Sequence, residues 1–166
     1  MAKVLMVIAA QGYQDIEYED PKNVLIKAGH TVTTTSTSKK AYGGLGGQTE
    51  VDLLLDNVNE ENFDAIVFVG GPGSHTYFTN ITALNLSKKF FEKGKLTCAI
   101  CAGPGTLANA GILKDKKATC WDGVSPILTE KGANYTGNSV EKDGNIITAN
   151  GPGAAKKFGE LIAKNL

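Results

Sequence analysis

Apolar and polar positions alternate along the chain between short unbroken apolar runs and stretches with helical spacing. Lys3–Ala9 is rich in Val, Ile and Leu and predicts a strand, while Asp15–Lys27 spaces its apolar residues as a helix does and is stopped by Gly29. His30–Ser36, β-branched apart from its ends, predicts the next strand. Gly43-Gly44-Leu45-Gly46-Gly47 predicts a flexible crossing, and Thr49–Leu55 after it alternates like a strand with one wet face, at an edge or in a hairpin. Ala65–Val69 is unbroken apolar, as expected of a central strand covered on both faces, and Gly70-Gly71-Pro72-Gly73 ends it abruptly. Further on, the pattern predicts a helix over Ala83–Lys93, a strand over Leu96–Ile100, a helix over Gly105–Ala110, a short strand over Ala118–Trp121 and a helix over Ser125–Lys131. Val140–Asp143 and Ile146–Ala149 flank the turn signal Gly144-Asn145, and Ala154–Asn165 closes the chain as an amphipathic helix.

This alternation over 166 residues predicts one α/β domain, residues 1–166, with a doubly wound, mostly parallel sheet and helices on both faces. In such sheets, sites form outside the carboxyl ends of the strands, where strand order reverses. Gln11–Glu17, Gly70–His75, Cys101–Gly105 and Asn150–Gly153 all fall at predicted strand ends.

Composition narrows the function. Apolar residues make up 42% of the chain and charged residues 20%, so a core can form without disulfides or metals. Lysine supplies all 17 basic charges against 17 acids, which leaves no basic field for nucleic acid, and no arginine offers a bidentate grip on phosphate. Small neutral substrates remain. The opening apolar run is broken by Lys3 and ends at Gln11-Gly12, too short for a signal core or a membrane span, and predicts a cytoplasmic protein with no membrane partner. Three cysteines, an odd number, argue against a secreted disulfide framework.

Two of those cysteines stand three apart. Cys98 falls inside the predicted strand, where positions three apart point to opposite faces and lie about 10 Å from each other, beyond the ~7 Å limit of a disulfide. It reads as a small core residue. Cys101 sits where the strand must give way to the helix opened by Gly103-Pro104-Gly105, as in a nucleophile elbow, with its sulfur facing the cleft. Free N–H groups and the helix dipole there predict a thiol pKa below the usual ~8.5.

Ala99-Ile-Cys-Ala-Gly-Pro104, Asp15-Ile-Glu17, Phe63-Asp-Ala-Ile-Val67 leading into Gly70-Gly71, and Val140-Glu-Lys-Asp-Gly144 through Gly151-Pro152-Gly153 together resemble the PfpI superfamily. Within it the likeness is to the branch of the Parkinson-disease protein deglycase rather than to the archaeal protease branch. The resemblance spans essentially the whole chain and implies a flavodoxin-like fold, a homodimer, Cys101 as an oxidisable nucleophile and Glu17 as the acid facing it. A carboxyl held against a thiolate in a partly dry pocket has a raised pKa and can pass protons to substrate. The backbone N–H groups of Gly71 and Ala102 are the oxyanion donors expected there.

The chain departs from the pattern twice. Ala102 stands where the protease branch has histidine, so a Cys–His peptidase lacks its base, and Trp121 stands where the deglycase branch has histidine. His75 is a candidate substitute base; His30 reads as structural, and Cys120 reads as core or as a thiol that resolves an oxidised Cys101. The resulting expectation is a cofactor- and metal-independent enzyme acting on small aldehydes or glycated substrates, with a stress-protective role. The alternatives are a redox-sensing chaperone whose Cys101 stops at sulfinate and an amidase- or peptidase-like hydrolase.

Overall fold

The computed structural model describes residues 1–166. The main sheet has seven strands, in the spatial order β11 (Val140–Asp143), β12 (Ile146–Ala149), β8 (Leu96–Ile100), β7 (Ala65–Phe68), β1 (Lys3–Val7), β3 (Thr31–Ser36) and β6 (Leu53–Leu54). Every neighbouring pair is parallel except β11 with β12, which form an antiparallel hairpin across Gly144-Asn145. The chain runs from β1 outward to β3 and β6, then returns to the other side of β1 as β7, β8 and β12. Strand order therefore reverses between β1 and β7, the place where an open α/β sheet forms its crevice. This is the flavodoxin-like architecture expected from the sequence.

β7 and β8 are nearly continuous apolar runs because both of their faces are covered. α1 (Asp15–Lys27) packs on α5 (Ala155–Lys164), while α2 (Ile81–Glu92) packs on α3 (Pro104–Asn109) and on β7 and β8. The right-handed crossovers β1–α1–β3 and β7–α2–β8 run in opposite directions from the switch point, which places α1 and α2 on opposite faces. α4 (Ser125–Glu130) packs beside α3 and completes the helices.

The apolar pattern misplaces several short elements. The stretch Lys3–Ala9 stops being a strand at Val7, and the next three residues with strand geometry, β2 (Gln11–Tyr13), pair with β4 (Lys40–Gly43), which the pattern does not predict. β4 turns at Gly43–Gly47 into β5 (Gln48–Glu50), so the glycine run is a tight hairpin rather than a flexible crossing. Its conformation comes from a distant side chain: Asp15 accepts from Leu45 N at 2.9 Å and from Gly47 N at 2.7 Å. The strand expected over Ala118–Trp121 shrinks to β9 (Lys117–Ala118), paired with β10 (Asn134–Tyr135), because Thr119 N is taken by Thr148 Oγ1 at 2.9 Å and Trp121 N by the Cys101 carbonyl at 2.8 Å. His30 is structural, its Nδ1 accepting from Ala2 N at 3.0 Å.

Gly159 marks the closest approach of α1 and α5, since a Cβ there would lie 2.8 Å from Pro21 Cα and 3.2 Å from Val24 Cβ. Gly→Ala inside a helix ordinarily stabilises by about 0.5–1 kcal/mol. Here the sign reverses, because the methyl meets backbone that cannot swing aside, and overpacking of this kind costs about 1–3 kcal/mol. Urea denaturation of Gly159→Ala should show a lower midpoint with an unchanged slope.

Candidate active site

The elbow is visible in the backbone. Cys101 is one of two non-glycine residues with positive φ, at 62°. An L residue adopts that conformation at a cost of about 1–3 kcal/mol, and only where its surroundings over-determine it. Cys101 N donates to the Ala149 carbonyl at 2.9 Å, and its own carbonyl accepts from Trp121 N. The residue is thereby pinned between the end of β12 and the segment after β9, and its side chain is turned out of the sheet into the crevice. The helix behind it, α3, has only six residues.

Glu17 reaches the same place from α1. Gln14 caps that helix, its Oε1 accepting from Glu17 N at 2.9 Å, which sets the first turn so that Glu17 points at the sheet. The carboxyl is fully buried: Oε1 accepts from Gly70 N at 3.0 Å, Oε2 makes no hydrogen bond, and the Cys101 side chain lies close enough to the carboxyl to shift its titration. Only glycine fits between them. A Cβ on Gly70 would collide with Glu17 Oε1 and come within 2.7 Å of Cys101 Cβ. Because Gly70 N–H occupies Oε1, a proton carried by the carboxyl sits on Oε2.

Burial is the larger cause that pushes the Glu17 carboxyl up to about 7, against the opposing pull of the Cys101 side chain and Gly70 N–H. The Cys101 thiol is pushed up to about 12, first by burial and then by the negative charge of an ionised Glu17 and its hydrogen bond. The backbone N–H groups of Ala102 and Gly71 aim at the sulfur and pull the other way, but they are outweighed. The expectation of an intrinsically acidic thiol is therefore corrected: a six-residue helix and two amides do not overcome a dry site that already holds a carboxylate. The two values belong to the pair, which keeps one proton between about 7 and about 12. In that range thiolate exists only as the tautomer in which the Glu17 carboxyl holds the proton.

A cleft of about 360 Å³ opens over this pair and is lined by Gln14, Glu17, Gly71, Pro72, His75, Cys101, Ala102, Trp121 and Pro152. All five residues singled out in the sequence thus meet in one place. Gly71 N and Ala102 N have no carbonyl partner and converge on Cys101 Sγ. His75 is exposed in the 3-10 segment Pro72–Thr79, with its ring 4.7 Å from that of Phe78, and makes no hydrogen bond to Glu17 or Cys101. Cys98 lies within β8 and Cys120 under the surface; both are buried and neither lines the cleft. Gln14, Pro72 and Pro152 carry no chemical signal of their own in the sequence and enter the site because they neighbour the strand ends.

The shared proton predicts a distinctive pH profile. Alkylation of Cys101 by iodoacetamide, followed by mass spectrometry of the intact protein, should accelerate as pH rises to about 7 and then level off, since above that the pair's protonation no longer changes. In Glu17→Gln the step near 7 should vanish and the rate should keep climbing through the alkaline range. Identical profiles in the two proteins would show that the pair does not share a proton.

Residues 2–165 match the DJ-1/PfpI family. An uncharacterized protein of Methanocaldococcus jannaschii is 43% identical to this chain, over 98% of it and 82% of the relative. The deglycase PfpI of Pyrococcus furiosus is 33% identical over 90% of each chain. The crystal structure of Drosophila melanogaster DJ-1beta superposes with a TM-score of 0.92 at 30% identity, covering 99% of this chain and 90% of the other. With an elbow cysteine at the strand-order reversal and a match along nearly its whole length, this chain belongs to the DJ-1/PfpI family.

Proposed function

We propose that the protein is a cysteine-dependent enzyme that acts on small reactive carbonyls, of glyoxalase or deglycase type, and so protects the cell against aldehyde stress. The observation that carries this reading is the buried Glu17 carboxyl beside the cleft cysteine, one oxygen accepting from Gly70 N and the other without a hydrogen-bond partner. A carboxyl titrating near 7 both gives and takes protons at neutral pH, as an isomerisation requires. The deglycase name of the P. furiosus relative supports the same substrate class.

With methylglyoxal as substrate, Cys101 Sγ bonds to the aldehyde carbon while its proton passes by way of Glu17 to the aldehyde oxygen, giving a hemithioacetal. Gly71 and Ala102 N–H groups stabilise the negative charge on that oxygen during attack. Glu17, ionised again, removes the hydrogen from the sulfur-bearing carbon and returns it to the neighbouring carbon. The hydroxyl proton moves from the first oxygen to the second, and a thioester of lactate results. Water then cleaves the S–C bond, releasing lactate and restoring the thiol. One methylglyoxal and one water are consumed per lactate, with no net redox change and no step that needs a cofactor. His75, at the cleft wall on Phe78, has no assigned part in these steps.

Lactate formation from methylglyoxal by the purified protein tests the reading. Cys101→Ala should leave no turnover above the buffer rate, and Glu17→Gln should lower kcat by about 10²–10⁴-fold, the usual contribution of a positioned general acid–base. Wild-type protein that makes no lactate overturns the proposal.

A further inference from the structure

Trp121 is the only tryptophan in the chain, and its backbone N–H is tied at 2.8 Å to the carbonyl of Cys101 itself. The six-membered ring of its indole rests against Gly123, where a Cβ would overlap two ring carbons and lie 2.7 Å from Cε3. Any side chain at 123 would therefore evict the ring. The indole remains 49% exposed although it is anchored at the edge of the cleft, and it shares the lining with the rings of Pro72 and Pro152. An aromatic surface fixed by packing and left uncovered loses little freedom when a flat apolar group settles on it.

We propose that Trp121, Pro72 and Pro152 form a subsite for the planar apolar tail of a carbonyl compound, so that the cleft favours aryl-substituted oxoaldehydes over methylglyoxal. The kinetic side of this inference rests on the oxoaldehyde reading above; the binding side does not. The orientation follows from the fold. A substrate carbonyl carbon on Cys101 Sγ, with its oxygen toward Gly71 N and Ala102 N, has its tail directed along the remaining walls, where Trp121, Pro72 and Pro152 supply the apolar surface beside Gln14 and His75.

Phenylglyoxal is a clean probe here because the guanidinium groups it ordinarily modifies are absent: the chain has no arginine. It would be converted with one water to mandelate, by the same atom balance as methylglyoxal to lactate. In wild type, kcat/KM for phenylglyoxal should exceed that for methylglyoxal by at least about tenfold, as expected of an aromatic contact of roughly 1–3 kcal/mol. Trp121→Ala should lower that ratio about tenfold, and Trp121→Phe should keep it within about threefold of wild type. Separately, acetophenone, an aryl ketone with no aldehyde, should shift the emission of the single indole and slow iodoacetamide alkylation of Cys101. Trp121→Ala should lose that protection. A ratio unmoved in Trp121→Ala, together with acetophenone that changes neither emission nor alkylation, overturns the subsite. If wild type makes neither lactate nor mandelate, the oxoaldehyde reading fails, and the acetophenone measurements alone decide the subsite.

Discussion

The pairing of the Glu17 carboxyl with the Cys101 thiol, two groups whose titrations are shifted by burial beside one another, is the interaction around which the cleft is built. Neither partner is well placed alone. The carboxyl is fully buried with one N–H donor, and the thiol lies in a dry crevice beside a carboxylate. Raising a carboxyl from 4.5 to about 7 corresponds to a penalty on the order of 3 kcal/mol for ionising the group in this site. That penalty leaves a carboxyl titrating near neutrality, which can both hold and release a proton there. The amide N–H groups of Gly71 and Ala102 make no backbone hydrogen bond and pull the thiol down, against burial.

Strain at Cys101 serves the same end. A left-handed cysteine persists because β12 holds its N–H and the Trp121 segment holds its carbonyl. Gly70 then lets the two side chains close on each other without an intervening methyl, and Gly71, with φ of 105°, brings its N–H to the sulfur. The parallel strands β1, β7 and β8 end at the reversal of strand order, so residues far apart in the chain meet in one crevice.

Trp121 sets the character of one wall of the cleft. Where a histidine would add a titratable group beside the nucleophile, this chain has an aromatic ring set against Gly123 and flanked by prolines. Glu17 is the titratable group beside the thiol, and the Trp121 wall adds apolar surface.

The order of the main strands and helices, the central position of the run Ala65–Val69, whose strand is Ala65–Phe68, and the turn at Cys101 follow from the sequence alone, because unbroken apolar runs and glycine punctuation are local properties of the chain. So does the convergence of Glu17, Gly71, His75, Cys101 and Ala102, since a doubly wound sheet brings its strand ends together. The short strands Gln11–Tyr13 and Lys40–Gly43 do not, because Asp15 ties down the hairpin beside them from outside the segment. Nor does the protonation of the pair: local reasoning from amides and a helix end gives an acidic thiol, whereas burial and the charge of a residue 84 positions away raise it instead. Electrostatic balance in a dry crevice depends on every group that faces it, and only the tertiary structure decides which groups those are.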